Sequence, residues 1–176
     1  MAAGHPRSRT IVVVRHAKAE DAAATDQVRE LTERGRADAT VVGELLSDML
    51  DPDAETAALV SSATRARQTW RIAAGELDVP VEERELDELY EAGGDEVVDL
   101  LALLPDEIEV AIVVGHNPAM EALAHQLDNG DDDDLTTQLS ERGLPTAGVA
   151  VLELEGPWSG LEAASCRLVR IEVGRG

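Results

Sequence analysis

Two histidines in this chain each stand just past a run of β-branched and small apolar residues. "TIVVV" (10–14) is followed by Arg15-His16, and "VAIVV" (110–114) by Gly115-His116-Asn117. Between them "TAALVSS" (56–62) delivers Ser61-Ser62 and then, in the first turn of the next predicted helix, Arg65. A strand buried on both faces ordinarily closes on Gly, Asn or Asp. Arg15-His16 is poor turn chemistry, so the pair calls for another reason. Ligands of open α/β sheets bind outside the carboxyl ends of the strands. If the three runs are neighbouring strands, two imidazoles and two guanidiniums meet on one rim.

That set suits a tetrahedral oxyanion such as phosphate. Arginine is always charged and presents a fork of donors. The helix after His116 offers backbone N–H groups and its positive end to the same anion. Asn117, at the expected cap of that helix, therefore joins Arg15, Arg65 and His116 as a candidate phosphate-binding residue. A neutral histidine is a competent covalent nucleophile, and Arg15 disfavours the imidazolium form of His16. One histidine could attack phosphorus while the other neutralises equatorial oxygens. Phosphoryl transfer asks for little beyond positioning and charge stabilisation, plus an acid for the leaving group.

The elements that must position these groups follow from periodicity. Residues 1–9 read as a flexible tail and 10–173 as one domain. Thr32 is a plausible N-cap for a helix carrying Leu31, Val41, Val42, Leu45, Leu46, Met49 and Leu50. "ATRARQTWRIAAGEL" predicts a helix ending near Gly75 or Leu77, and a short strand falls near Val81. "GGDEVVDLLALLP" predicts a helix opened by Asp95 and stopped by Pro105. The helix after His116 carries Asn117 at its cap and Pro118 in its first turn. "DNGDDDDLTTQLSERGLPT" reads as an acidic loop, and "GVAVLELEG" and "ASCRLVRIEV" as two antiparallel strands joined through "PWSG". Strands alternating with helices predict an α/β/α sandwich with a mostly parallel central sheet.

Composition narrows the function. The 176 residues carry 36 Asp and Glu against 15 Lys and Arg, a net charge of -21, which opposes nucleic acid and anionic membranes as partners. An anion must then find a local positive pocket. With no Phe, two Trp and one Tyr, the core must be Val, Leu, Ile and Ala. Cys166 is the only cysteine, so neither a disulfide framework nor a Cys-based zinc site is expected. The N-terminus has no apolar segment of a signal peptide, and no run reaches the ~18 apolar residues of a membrane span. A soluble, cytoplasmic protein is expected.

"VVVRHAKAED", "ELTERGRADA", "SSATRARQT", "LDEL" and "AIVVGHNP" occur in the order seen in the histidine phosphatase superfamily. From residue 11 to about 152 the chain resembles that family, and its length is most similar to the small phosphohistidine phosphatase (SixA-like) branch. The resemblance implies a phosphoglycerate mutase-like fold with His16 as the phosphorylated nucleophile, and Arg15, Arg65 and His116 around it. It implies a metal-independent phosphatase that takes no cofactor. For the acid, the segment matching "LDELYEAG" points to Glu88, with Glu20, Asp21 and Asp87 as alternatives. Ala17 stands where the family usually has Gly, and Ser62 where many members have Pro. Only the short stretch from Arg84 to Glu109 occupies the place of the larger relatives' lid. A small or absent lid implies an open, shallow pocket, which suits a phosphorylated protein side chain better than a small metabolite that needs enclosing. The alternatives are a small phosphate ester as substrate, or a phospho-ligand module without turnover.

Other features carry less. "DNGDDDD" (128–134) fails the EF-hand register, so the Asp131–Asp134 run reads as solvated. His116 and His125, nine residues apart, fall on opposite helix faces at ~100° per residue. Arg67 and Arg71 read as solvated partners of nearby Glu, His5 as tail, and Trp70 and Trp158 as packing.

Overall fold

The computed structural model describes residues 8–176. Its centre is three parallel strands: β1 (Ser8–Arg15), β2 (Thr56–Ser61) and β4 (Val110–Gly115), with β4 between the other two. β2 and β4 are buried at every residue, as expected of parallel strands covered on both faces. β3 (Glu82–Leu86) adds a fourth parallel strand beside β2. On the other side β5 (Gly148–Glu155) runs antiparallel to β1, and β6 (Cys166–Val173) antiparallel to β5. The order is β3-β2-β4-β1-β5-β6.

Alternation along the strands makes two cores. Val12, Val14, Ala58, Val60, Ile112 and Val114 face one layer, built from α1 (Glu33–Met49) and α2 (Thr64–Ala74). Ile11, Val13, Leu59 and Val113 face the other. That layer holds α4 (Gly94–Ala102), α5 (Ala119–Leu127) and α6 (Asp133–Arg142), preceded by a single-turn α3 (Glu88–Glu91). The α/β/α sandwich with a mostly parallel sheet is therefore observed. Between β3 and β4 lie only α3 and α4, so the lid is small. Among the described residues no helix is long and apolar enough to cross a membrane.

Several local expectations need correction. β1 begins at Ser8, so Ser8 and Arg9 belong to the sheet; residues 1–7, and with them His5, lie outside the described residues. Arg9 is buried by its ion pair with Asp106 (2.8 Å) and its position over the Trp158 ring. Asp95 is not the cap of α4. Gly93 is, and Glu96 reaches back to accept its N–H at 2.9 Å. The expected acidic loop contains helix α6. Asp132 caps it by accepting the Leu135 N–H (3.0 Å), and Asp133 and Asp134 sit in the first turn, where negative charge meets the helix's positive end. The Asp131–Asp134 run is exposed, as expected, but it leads into a helix and not a loop.

Thr32 caps α1 as expected, accepting the Gly35 N–H at 2.9 Å. Gly35 also matters sterically: a Cβ there would stand 2.0 Å from the Lys18 carbonyl oxygen. α1 thus packs directly against the chain leaving β1.

Candidate active site

The register of the three parallel strands sets their ends in step. Arg15 lies opposite Gly115, and Val60 opposite Val114, so Arg15-His16, Ser61-Ser62 and His116 emerge together. The His16 N–H donates to the Gly115 carbonyl (3.0 Å), continuing the ladder one residue past the strand. The His16 carbonyl accepts the Ala147 N–H (3.1 Å). Ala147 achieves this at φ +57, a left-handed backbone that costs a residue with a Cβ roughly 1–2 kcal/mol. The next amide, Ala17 N–H, donates to Thr69 Oγ1 (3.0 Å), and that hydroxyl donates to the Arg65 carbonyl (2.7 Å). His16 and Arg65 are therefore tied through main-chain contacts on two elements.

The His16 ring is buried, with Nδ1 2.8 Å from the Ala17 carbonyl. A carbonyl only accepts, so Nδ1 carries the proton. Nε2 is then unprotonated, and it accepts from Arg65 Nε at 3.2 Å. Burial lowers the His16 pKa to about 3. The Ala17 hydrogen bond opposes that shift, while His116, Arg65 and Arg15 reinforce it. Near neutrality His16 is a neutral imidazole whose Nε2 lone pair is turned to Arg65.

His116 lies with its ring centroid 5.2 Å from that of His16. Burial, then the charge of Arg65, lowers its pKa to about 4. Its Nε2 is 2.7 Å from Ser61 Oγ, which also accepts the Ala63 N–H at 3.4 Å. Either ring tautomer of His116 satisfies this contact, since a serine hydroxyl donates one hydrogen bond and accepts two; Nδ1 is buried with no partner among the described residues. Arg15 is similar: Nη1 donates to the Leu144 carbonyl (3.0 Å), and its buried Nε has no partner among the described residues. Buried polar atoms are rarely left unpaired. Both residues line a pocket of about 270 Å³, together with His16, Arg65, Asn117 and Arg29.

Of the expected site residues, the structure brings together Arg15, His16, Arg65, His116 and Asn117. Asn117 is not the cap residue; that position falls on Pro118, and α5 begins at Ala119. Its Nδ2 is committed to Glu121 Oε2 (3.1 Å) and the Leu144 carbonyl (2.9 Å). Glu88 is placed elsewhere, exposed on α3 in the wall of a neighbouring cleft, with Asp87 beside it. Glu20 and Asp21 are exposed, and Asp21 faces Lys18 at 3.8 Å.

The carboxylate that does touch the site is Asp26. Its main-chain carbonyl accepts from Arg65 Nη1 (2.7 Å), and its Oδ2 accepts from Arg65 Nη2 (3.0 Å) and the Tyr90 hydroxyl (2.9 Å). The Tyr90 bond, and then Arg65, hold the carboxyl below the usual range. The Tyr90 ring stands edge-on to His116 at 5.9 Å. Neither residue has a periodic signal, because both arrive on loops or single turns. Leu144 and Glu121 were more accessible to reasoning. A strand antiparallel to β1 begins where β1 ends, so the residues before Gly148 must border the same rim.

A neutral imidazole facing two guanidiniums, at the carboxyl ends of a mostly parallel sheet, is a site for phosphoryl transfer. A sequence profile of the histidine phosphatase superfamily (branch 1) matches residues 11–97. The chain is 31% identical to a candidate phosphohistidine phosphatase SixA from Agrobacterium tumefaciens, covering 93% of this chain and 97% of that one, with a TM-score of 0.75. A counterpart from Nakamurella multipartita is 29% identical, covering 94% and 95%, with a TM-score of 0.76. An uncharacterised Mycobacterium tuberculosis protein is 36% identical over 165 residues, 92% of this chain and all of the relative. The chain belongs to the histidine phosphatase superfamily, in its SixA-like branch, and is a phosphatase.

Proposed function

We propose that the chain removes phosphoryl groups from phosphohistidine side chains of proteins, through a covalent intermediate on His16. The observation that carries this reading is the fixed tautomer of His16: Nδ1–H held by Ala17, Nε2 unprotonated and beside Arg65. The Nε2 lone pair forms a bond to phosphorus as the P–N bond of the substrate breaks, and the substrate ring, protonated by solvent on its other nitrogen, departs as neutral imidazole. Arg65 Nε–H turns from Nε2 to a phosphoryl oxygen, and Arg15 Nε and His116 Nδ1 supply the other donors. Water then attacks phosphorus, the Nε2–P bond breaks, and inorganic phosphate leaves with His16 restored.

The substrate class rests on the acid. The described residues lining the pocket include no carboxylate, and the adjoining Asp26 is held ionised. An alkoxide leaving group needs a strong proton donor, whereas a phosphohistidine ring protonated on its other nitrogen departs as neutral imidazole, the base of an imidazolium with an ordinary pKa of ~6.5, and needs no further acid. A P–N substrate fits this site better than a phosphate ester. The two relatives described as candidate phosphohistidine phosphatases point the same way. The lone cysteine accords with a cytoplasmic setting.

The test is phosphoenzyme trapping with a labelled phosphodonor, quenched in alkaline denaturant because phosphohistidine is acid-labile. Label on His16, and turnover at least ~10³-fold lower in His16→Ala, is expected. Full turnover by His16→Ala would end the covalent reading.

A further inference from the structure

Beside the phosphate pocket lies a second, larger hollow of opposite character. It measures about 610 Å³ and is lined by five carboxylates, Asp87, Glu88, Glu91, Glu96 and Asp99, with no Lys or Arg in its lining. Glu96 is occupied in capping α4. The other four side chains have no hydrogen bond or ion pair among the described residues, so their negative field is uncompensated. The same hollow has an apolar side formed by Ala92, Leu100 and Leu103. Leu103 is 82% exposed, and Val28, next in the chain to the lining residue Gln27, is 48% exposed; these are the exposed large hydrophobics among the described residues.

Two residues of the hollow adjoin members of the pocket. Tyr90 lines it while its hydroxyl holds Asp26 and its ring borders His116. Ser62 lines it too, directly after Ser61, which is bonded to His116. Ser62 is 9% exposed and its Oγ is a buried polar group at the junction without a partner among the described residues. A buried hydroxyl left this way is destabilising, and a ligand's polar backbone would relieve it.

We propose that this hollow docks the polypeptide segment flanking the phosphorylated residue of a protein substrate, and that this segment is basic and carries an apolar side chain. The inference rests on the phosphohistidine reading above. Charge complementarity selects the occupant: four unpaired carboxylates attract Lys or Arg, and Leu100 and Leu103 cover an aliphatic group. The substrate would then present a phosphoryl dianion to the cationic pocket and cations to the acidic hollow. Each half repels the other's ligand, which fixes orientation as well as affinity.

Two synthetic phosphohistidine peptides test this, one flanked by Lys and Leu and one by Glu and Ala, with phosphoramidate as a small substrate. They are compared on the wild type and on the triple variant Glu91→Gln, Asp99→Asn, Leu103→Ser, whose positions are all exposed. At low salt the Lys/Leu peptide should show a KM roughly fivefold below that of the Glu/Ala peptide, the size expected of a few exposed ion pairs. The preference should vanish in the triple variant and fade at high salt, with phosphoramidate turnover unchanged. Equal KM for the two peptides on the wild type, or a preference that survives the triple variant, overturns the docking proposal alone. If the wild type hydrolyses neither peptide, the phosphohistidine reading fails and takes this one with it.

Discussion

The phosphate pocket and the acidic hollow adjoin at Tyr90, which lines the hollow and stands edge-on to His116 of the pocket, yet they are built in opposite ways. The pocket holds cations and neutral histidines in a protein of net charge -21, and His16, Arg65 and His116 are buried and fastened. His16 is held by main-chain contacts to Gly115 and Ala147, and Arg65 by three hydrogen bonds. The hollow holds exposed carboxylates, four of them without a partner among the described residues, on and around a single-turn helix and α4. Reacting atoms must be placed to a fraction of an ångström, which demands strand ends and buried hydrogen bonds. Attraction of a charged segment needs only the sign and density of charge, which an exposed surface supplies.

The comparison breaks most visibly if the pocket loses its fastening. Glu121 Oε2 accepts both the Leu144 N–H (2.9 Å) and Asn117 Nδ2–H (3.1 Å), and the Leu144 carbonyl in turn accepts from Arg15 and Asn117. Glu121 touches no substrate; it sets where Arg15 points. Glu121→Ala should lower kcat/KM by about 30- to 100-fold, the cost of a misplacement near 1 Å at a reacting centre. Glu121→Gln, which keeps one acceptor, should recover part of that loss. Fluorescence-monitored unfolding separates the effect from global destabilisation, and an unchanged kcat/KM in Glu121→Ala would show that Arg15 needs no such support.

This division also explains what could be read from residue order alone. Arg15, His16, Arg65 and His116 were legible because each follows a buried apolar run, and buried parallel strands are written continuously in the sequence. The sheet and both helical layers were legible for the same reason. Asp26 and Tyr90 were not, since their place depends on how a polar loop folds back over Arg65, and that leaves no periodicity. α6 was hidden by its own N-terminus: Asp132, Asp133 and Asp134 read as a solvated run, although acidic residues are what a helix start favours. Glu88 was suggested by the resemblance, and its exposed position across the Tyr90 wall depends on the single turn of α3, which no spacing predicted.

Burial of the pocket has a second measurable consequence. His16 has its pKa lowered to about 3, against ~6.5 in the unfolded chain. Between these values the unfolded state binds the proton and the folded state does not, so stability is fully present above pH 6.5 and is lost as pH falls toward 3. From pH 7 to pH 5 this residue should account for roughly 2 kcal/mol of lost stability. Urea unfolding at both pH values, on the wild type and on His16→Asn, gives the difference directly. If the two proteins lose stability in parallel, His16 is not buried neutral, and the contrast between a dry pocket and a wet hollow is wrong.

Tyr90 yields the smallest effect and the sharpest discrimination, because it belongs to both regions. Its hydroxyl acts on the pocket, through Asp26 Oδ2 to Arg65, while its ring lines the hollow and borders His116. Tyr90→Phe keeps the ring and removes the hydroxyl. Arg65 retains its bonds to the Asp26 carbonyl and carboxylate, so its orientation is loosened, not lost. A fall in kcat/KM of about threefold is expected, near the value of one partly exposed hydrogen bond. Since the change lies on the pocket side, it should be the same for phosphoramidate as for a phosphohistidine peptide. Tyr90→Ala removes the ring as well, and should add a rise in KM for the peptide alone. A Tyr90→Phe effect confined to the peptide would assign the hydroxyl to substrate docking and move the boundary between the two regions to the far side of Asp26.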